Sequence, residues 1–303
     1  MIEVFPYEGE AHEQLGLDIY NAATPHDRVG PDEDRFYRAG MRDHVDLLAR
    51  IDGTVGGSAP GAIQPQRPEV AFALVTVLAD LRRRGAGTAL YRAISVWARE
   101  RGLDSIETFV ADNDSESLAF ALRRGFTEDS HELGVALDLT RIEPPTVEQP
   151  EGVQIVTWAE RPELARGMYD VALEAVPDIP GGEHEQVEPF EGWLLHDMQG
   201  PGDRPEATFV ALAGDEVIGY AKFSLTSAQP TTAHHDLTGV KRAWRGRGVA
   251  RALKATQIAW AKRNGYVELR TTNEERNAPI RHLNKEFGYR PSIGRVFLKG
   301  PLA

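Results

Sequence analysis

The sequence contains no cysteine. That absence excludes disulfide frameworks, zinc–thiolate sites and thiol nucleophiles, so any acyl transfer by this chain does not pass through an acyl-cysteine. Long apolar runs are missing as well: no stretch approaches the roughly 18 residues that a membrane span requires. The opening Met1-Ile2-Glu3-Val4-Phe5 lacks the basic segment and apolar run of a signal peptide, and a cytoplasmic protein is expected. Positive charge is in deficit, with 34 Lys and Arg against 46 Asp and Glu and a net charge of −12. An acidic surface repels nucleic acid and anionic membranes, so neither is expected as a partner, whereas amines are attracted. What is present, 303 residues of which 41% are hydrophobic and 26% charged, suits two globular domains with proper cores.

An internal repeat fixes the organisation. The segment Arg82-Arg83-Arg84-Gly85-Ala86-Gly87 has a counterpart in Arg245-Gly246-Arg247-Gly248-Val249-Ala250, 163 residues on (245 − 82). The same offset relates Val77 to Val240, Leu90 to Leu253, Trp97 to Trp260, Gly102 to Gly265, Gly125-Phe126 to Gly288-Tyr289, and Val55-Gly56 to Ile218-Gly219. One offset held over such a length implies duplication of a whole domain. The proline-rich, polar stretch from Glu143 to Gly152 reads as a linker. It sets domain one at 1–143, the linker at 144–151 and domain two at 152–303.

Each half carries the same order of elements. In the second, alternation predicts a strand at 153–157 and a helix at 163–175. A hairpin follows, 208–212 and 217–224 about Gly214-Asp215, then a strand at 232–240. Helical periodicity runs over 249–264 and stops at Gly265, a suitable C-terminal glycine. A strand at 268–272, a short helix from Pro279 to Phe287 and a final strand near 294–299 complete the half. Proline at a helix start is favourable, because its missing N–H is not needed there. Trp97 and Trp260, at matching helix positions, read as core. The fold class is α/β: two tandem domains, each a mixed, mostly antiparallel sheet flanked by helices.

The turn between the strand ending at Val240 and the helix opening at Gly248 is an anion site by construction. The first N–H groups of a helix lack intrahelical partners and its dipole favours negative charge. Glycine at 248 lets backbone approach a ligand closely, and Arg245 and Arg247 add charge-assisted hydrogen bonds to phosphate oxygens. Neither the Gly-x-Gly-x-x-Gly nor the Gly-x-x-x-x-Gly-Lys-Ser/Thr pattern fits the turn, which argues against dinucleotide and ATP sites. Alternation would put Val240, Thr238, Asp236 and His234 on one strand face if no bulge intervenes, with His235 on the other. Asp236, then His234, are the candidate general bases. The polar loop from Asp178 to Glu185 holds His184 between Glu183 and Glu185, with no further ligand at useful spacing, so no metal site is expected.

The Arg-x-x-Gly-x-Gly/Ala pattern after a strand ending in valine, at both Arg82–Gly87 and Arg245–Ala250, resembles the pyrophosphate-binding motif of the GNAT superfamily of N-acetyltransferases. The downstream run Thr271-Thr272-Asn273, Asn277, Leu283-Asn284 and Gly288-Tyr289 is similar to a second acyl-CoA-contacting region in one branch of it. As a pair, the halves resemble tandem members such as the mycothiol synthases. The resemblance implies acetyl-CoA as co-substrate, its pyrophosphate on Arg245, Gly246, Arg247, Gly248, Val249 and Ala250, and its pantetheine arm beside the strand ending at Val240, in a splay between strands. A backbone N–H near Val240 then polarises the thioester, and a primary amine of a small molecule attacks directly in a ternary complex. Asn273, Asn277 and Asn284 join the cofactor-binding set. Many members place a tyrosine, the acid for the leaving thiolate, where this chain has Asn284 and Ala121, so the resemblance leaves the general acid unassigned.

The halves are not equal. The first keeps Val77, Arg82, Arg83, Arg84, Gly85, Ala86 and Gly87, a possible second cofactor site, but the offset puts Val110 opposite Asn273, Asp114 opposite Asn277, Ala73 opposite Asp236 and Ala71 opposite His234. The C-terminal half is therefore the expected catalyst and the N-terminal half a degenerate copy. The alternative is a non-catalytic acyl-CoA-binding or regulatory protein that keeps the fold.

Overall fold

Repetition in the sequence becomes repetition in the fold, with an exchange of strands. The computed structural model describes residues 1–65, 67–180 and 186–303; Glu183, His184 and Glu185 lie outside the described residues. Two units gather their own contacts: Met1–His131 with Ile293–Ala303, and Glu132–Ser292. These bounds differ from those of the sequence halves.

The first unit runs β1 (Ile2–Pro6), α1 (Glu10–Ala23), α2 (Pro31–Ala39), β2 (Asp43–Ile51), β3 (Thr54–Ile63), β4 (Ala71–Ala73), β5 (Thr76–Val77), α3 (Ala86–Glu100), β6 (Ser105–Ala111), α4 (Ser115–Leu122) and the start of β7 (Thr127–Asp138). The second runs through the rest of β7, then β8 (Val153–Thr157), α5 (Ala165–Ala175), α6 (Phe190–Met198), β9 (Thr208–Ala213), β10 (Glu216–Leu225), β11 (Thr232–Val240), α7 (Val249–Arg263), β12 (Glu268–Glu274), α8 (Ala278–Glu286) and the start of β13 (Arg290–Pro301). The mixed α/β architecture is the expected one. Strands β8 and β11 have the bounds expected from the sequence, and Pro279 sits in the first turn of α8. Helix α6 carries no sequence prediction.

Each unit borrows its last strand. By the repeat, β6 should pair with β7 and β12 with β13. Instead β6 pairs antiparallel with β13, Ala111 opposite Arg295, and β12 pairs antiparallel with β7, Glu274 opposite Glu132. The register is the same in both. The first unit holds the borrowed strand by side chains as well: Tyr91 Oη donates to Pro301 O at 2.7 Å and Ala303 N to Ser95 Oγ at 2.9 Å.

Helix α7 explains how the second site is held. Leu253 and Ile258 are fully buried, packed with Val240, Ala221 and Phe223 of the sheet. Each such side chain contributes roughly 1.5–3 kcal/mol by burial, which anchors the helix and thereby its N-terminal turn. On the opposite sheet face, α5 and α6 pack Met168, Val171 and Trp193 against Val210, Leu212 and Tyr220.

Candidate active site

A splay opens in each unit. In the second, β11 and β12 pair in parallel only at Thr232–Glu268, Ala233–Leu269 and His234–Arg270. Beyond that, β11 stays with β10 and β12 with β7, and the two strands part. In the first, β4 and β6 pair at Ala71–Ile106 and Phe72–Glu107, after which the chain turns to β3 through β5. A ligand arm can thread between strands whose ladder has ended.

The turn at the head of α7 has the expected backbone. Gly246 and Gly248 hold φ of 72° and 84°, a region that costs a residue with Cβ about 1–2 kcal/mol. Arg245 Nε donates to Val240 O at 3.0 Å, as Arg82 Nε does to Val77 O at 3.2 Å. Arg247 lies over the Trp244 ring at 4.9 Å. Val249 is buried, and Ala250 follows it in the first turn of α7. In the first unit Gly85 keeps a φ of 96°, and Arg83 takes the left-handed conformation of Gly246 with a φ of 63°.

Counter-ions distinguish the two turns. Arg245 Nη1 donates to Asp178 Oδ2 at 2.6 Å, and Arg242 grips the same carboxylate through Nε and Nη2, both at 2.8 Å. Hydrogen bonds from Arg242 and Arg245 hold the Asp178 carboxyl well below the usual carboxylate range. Arg82 instead meets Asp114 and Glu116, each at 3.4 Å. Asp114 is committed to capping α4, accepting from Ser117 N at 3.0 Å, whereas its counterpart Asn277 makes no side-chain cap bond on α8.

Two sequence expectations need correction. The ladder shifts register between Ala221 and Phe223, with Thr238 opposite Ala221 and His235 opposite Phe223. This is a bulge of one residue in β11, and it reverses the parity of the strand. His235 therefore shares the α7 face with Thr238 and Val240. Asp236 lies on the α5–α6 face with Lys222, and His234 pairs with Ser224 on that side. The offset also changes. Gly57 pairs with Val77 and Gly219 with Val240, so upstream of the bulge the halves stand 162 residues apart (219 − 57). Ala71 and Ala73 thus match Ala233 and His235 rather than His234 and Asp236. In the first unit Ala71, Ala73, Val75 and Val77 keep simple alternation against the core.

Asp236 sits in an unforeseen network. Its Oδ2 lies 2.8 Å from Lys222 Nζ, which also meets Asp203 Oδ1 at 2.7 Å. Burial, which pulls the Lys222 ammonium down, is outweighed by the Asp236 and Asp203 carboxylates, which hold it above its ordinary value. Lys222 is 7% exposed and Asp236 43%, so the carboxylate presents a solvent-facing edge while its charge is anchored from behind. Burial pushes Asp197 up to about 6.

The α7 face carries a second unforeseen cluster. Gln257 Nε2 donates to Lys222 O at 3.1 Å, which turns Gln257 Oε1 to His235 Nδ1 at 3.0 Å. Nδ1 therefore carries the proton and Nε2 accepts from Tyr289 Oη. Burial, then Lys254, keep this imidazole neutral, well below its ordinary pKa. Lys254 is 1% exposed, its Nζ 5.2 Å from the Tyr289 ring, and burial lowers it to about 7. Above the cluster, Asn284 Nδ2 donates to Asn273 Oδ1 at 2.6 Å, and the buried Oδ1 of Asn284 has no partner. An orphaned acceptor fits an arm that carries amide N–H donors. The sequence signal for these groups was a polar pair, Lys254 and Gln257, at i and i+3 on the apolar side of α7, and one lysine in the run Ile218-Gly219-Tyr220-Ala221-Lys222-Phe223.

In the first unit the corresponding space is open. A cavity of about 830 Å³ is lined by the phosphate turn (Arg82, Arg83, Gly85, Ala86, Gly87), by Val75–Val77, by Phe109 and Val110, and by Phe120 and Ala121. Arg84 does not line it; it donates to Asp80 O at 3.4 Å.

Comparison with known proteins follows the same lines. The family model described as "Acetyltransferase (GNAT) family" matches residues 16–126 and again 168–289. The mycothiol acetyltransferase of Corynebacterium kroppenstedtii is 26% identical over 89% of this chain and 85% of that protein. That of Catenulispora acidiphila is 28% identical over 71% and 68%. Among solved structures, a GCN5-related N-acetyltransferase from Sphaerobacter thermophilus superposes with a TM-score of 0.76 at 20% identity, covering 99% of this chain and 96% of that one. A tandem GNAT protein from the clavulanic acid biosynthesis pathway gives 0.77 at 20% identity, covering 100% and 99%. With both halves matched by the family model and a splay beside a phosphate turn in each, the chain belongs to the GNAT acetyltransferase family and is an N-acetyltransferase of the tandem kind.

Proposed function

We propose that the chain moves an acetyl group from acetyl-CoA to a primary amine of a small molecule, by direct attack within a ternary complex in the second unit. The observation that carries this reading is the splay of β11 from β12 with Asp236 exposed beside it on one face and the Gly246–Gly248 turn at the head of α7. Acetyl-CoA supplies the activated acetyl group as a thioester. Arg245, Arg247 and the free N–H groups of the turn bind its pyrophosphate. Asn273, Asn277 and the orphaned Oδ1 of Asn284 orient its arm. Asp236, anchored by Lys222, attracts an ammonium and takes its proton, because the attacking nitrogen needs a lone pair and alkyl amines titrate near 10. The carboxylates of Asp197 and Asp203 deepen the negative potential on that face. A small-molecule acceptor also agrees with relatives named mycothiol acetyltransferase. Among the described residues no helix is long and apolar enough to cross a membrane.

The test is CoA release across a panel of small amines, with acetyl-CoA binding followed by calorimetry in the Gly248→Trp variant. Turnover with at least one amine, and loss of binding in a variant that still melts cooperatively, are expected. Unchanged affinity in the folded variant overturns the assignment. A second reading is favoured by the cavity in the first unit: that unit also holds an acyl-CoA, without transferring its acyl group, since its strand carries no acid or base.

A further inference from the structure

Positions that line the first-unit cavity differ in kind from their counterparts in the second unit. Val75 stands where the second unit has Thr238, Phe109 where it has Thr272, Val110 where it has Asn273 and Ala121 where it has Asn284. These four positions are apolar in one unit and polar in the other, while Thr76, Thr108 and Asn113 supply the polar part of the first-unit lining. Deeper in the fold the contrast continues: Ile94 and Phe126 replace Gln257 and Tyr289, so the hydrogen-bonded cluster on α7 has no equivalent on α3. Val75, Phe109, Val110 and Phe120 are only half-buried, and thus leave apolar surface facing about 830 Å³ of space. At the other end Arg82, Arg83, Arg123 and Arg124 lie beside the N-terminus of α3 and outnumber the carboxylates of Asp114 and Glu116, which pair with Arg82. Arg124 lies 3.5 Å over the Phe120 ring and donates to Thr88 Oγ1 at 2.6 Å, so this end is built from fixed groups.

A site with an anion-binding mouth and apolar walls selects an amphipathic ligand. We propose that the first unit binds an acyl-CoA thioester whose acyl chain is a longer aliphatic one than acetyl, the chain lying against Val75, Phe109, Val110 and Ala121. This rests on the reading that the first unit holds an acyl-CoA. An acetyl group would leave those walls wet. Each further buried methylene tightens binding about fourfold, so octanoyl-CoA binds at least about tenfold more tightly than acetyl-CoA even if only part of the chain is buried. In the second unit the polar walls give no such gain, and the two units then hold different acyl donors.

The experiment is calorimetric titration of the full chain with CoA, acetyl-CoA and octanoyl-CoA, in the wild type, Arg82→Ala, Arg245→Ala and the double variant Val110→Asn, Ala121→Asn, each checked by its melting curve. The expected result is one site that prefers octanoyl-CoA, lost in Arg82→Ala and kept in Arg245→Ala. The double variant rebuilds the amide pair of Asn273 and Asn284, and is expected to erase the preference while retaining CoA binding. A site that depends on Arg82 but binds all three compounds alike overturns the chain-length inference and leaves the cofactor reading standing. The absence of any Arg82-dependent site overturns both. A preference that disappears in Arg245→Ala rather than Arg82→Ala places the long-chain site in the wrong unit and overturns the inference.

Discussion

The two splays are built on the same ladder, end in the same arginine-to-carbonyl hydrogen bond and open onto a helix N-terminus, yet they are lined by opposite chemistry. In the second unit the corresponding positions are Thr238, Thr272, Asn273 and Asn284, a bulge swings Asp236 to the face opposite α7, and Lys222 fixes it there. In the first unit the matching strand segment, Ala71–Val77, runs without a bulge and carries no acid or base, Val110 and Ala121 stand in place of the amide pair, and a cavity remains. The difference shows that the phosphate turn and the reacting end of such a site are separable. The turn is a property of backbone and survives duplication, whereas the walls are side chains and drift independently.

The largest expected effect breaks the comparison at its acid. Asp236→Asn should lower kcat by about 100- to 10,000-fold, the usual worth of a positioned proton acceptor, with KM for acetyl-CoA little changed; steady-state kinetics with both substrates varied checks it. A decline of less than tenfold removes Asp236 from the mechanism. The next effect is on stability. Lys254 has its folded pKa lowered to about 7 by burial, below the ordinary lysine value near 10.4. Between those values the unfolded chain binds more protons than the folded one, so stability rises with pH over that window and the penalty is greatest below it. Lys254→Met should raise the melting temperature at pH 6 by roughly 5 °C and flatten the dependence between pH 7 and 10. Tyr91, the residue in the matching place, offers no such gain.

Smaller effects sharpen the contrast between the turns. The Asp178 carboxylate competes with pyrophosphate for Arg242 and Arg245, so Asp178→Asn should tighten acetyl-CoA binding at the second unit by about tenfold, in line with a charge-assisted pair of about 1.4 kcal/mol, as read by calorimetry. Arg83, at φ 63° where the second unit has Gly246, holds a conformation that glycine takes without strain. Arg83→Gly should raise stability by about 1 kcal/mol, measurable by urea unfolding.

Much of this was legible from residues alone. Tandem architecture followed from the offset, and β11 was placed to its ends because it runs between the turn at Gln229-Pro230 and the glycine-rich turn after Val240. The bulge was not legible. The doubled glycine Gly56-Gly57 lets the halves align at either of two offsets, and one extra residue in a strand leaves no mark in composition. Helix α6 was missed because nine residues behind Pro189, with Gly192 inside, give weak periodicity. The exchange of β7 and β13 could not be read, since the two strands are copies and each pattern fits either partner. Asp178 was read as part of a solvated loop, because only the fold brings it to Arg242 and Arg245. The phosphate turn itself was fully visible, as its function lies in glycines and arginines that need no tertiary partner to be recognised.

The central claim, that the second unit carries out transfer and the first does not, is tested most directly by comparing kcat/KM for acetyl-CoA in Arg245→Ala and Arg82→Ala, each confirmed folded by its melting curve. Loss of an arginine that binds phosphate at the working site should cost about 100-fold or more, so Arg245→Ala should fall by that factor while Arg82→Ala stays within about threefold of the wild type. If Arg82→Ala is the more damaging of the two, catalysis belongs to the first unit and the account is contradicted.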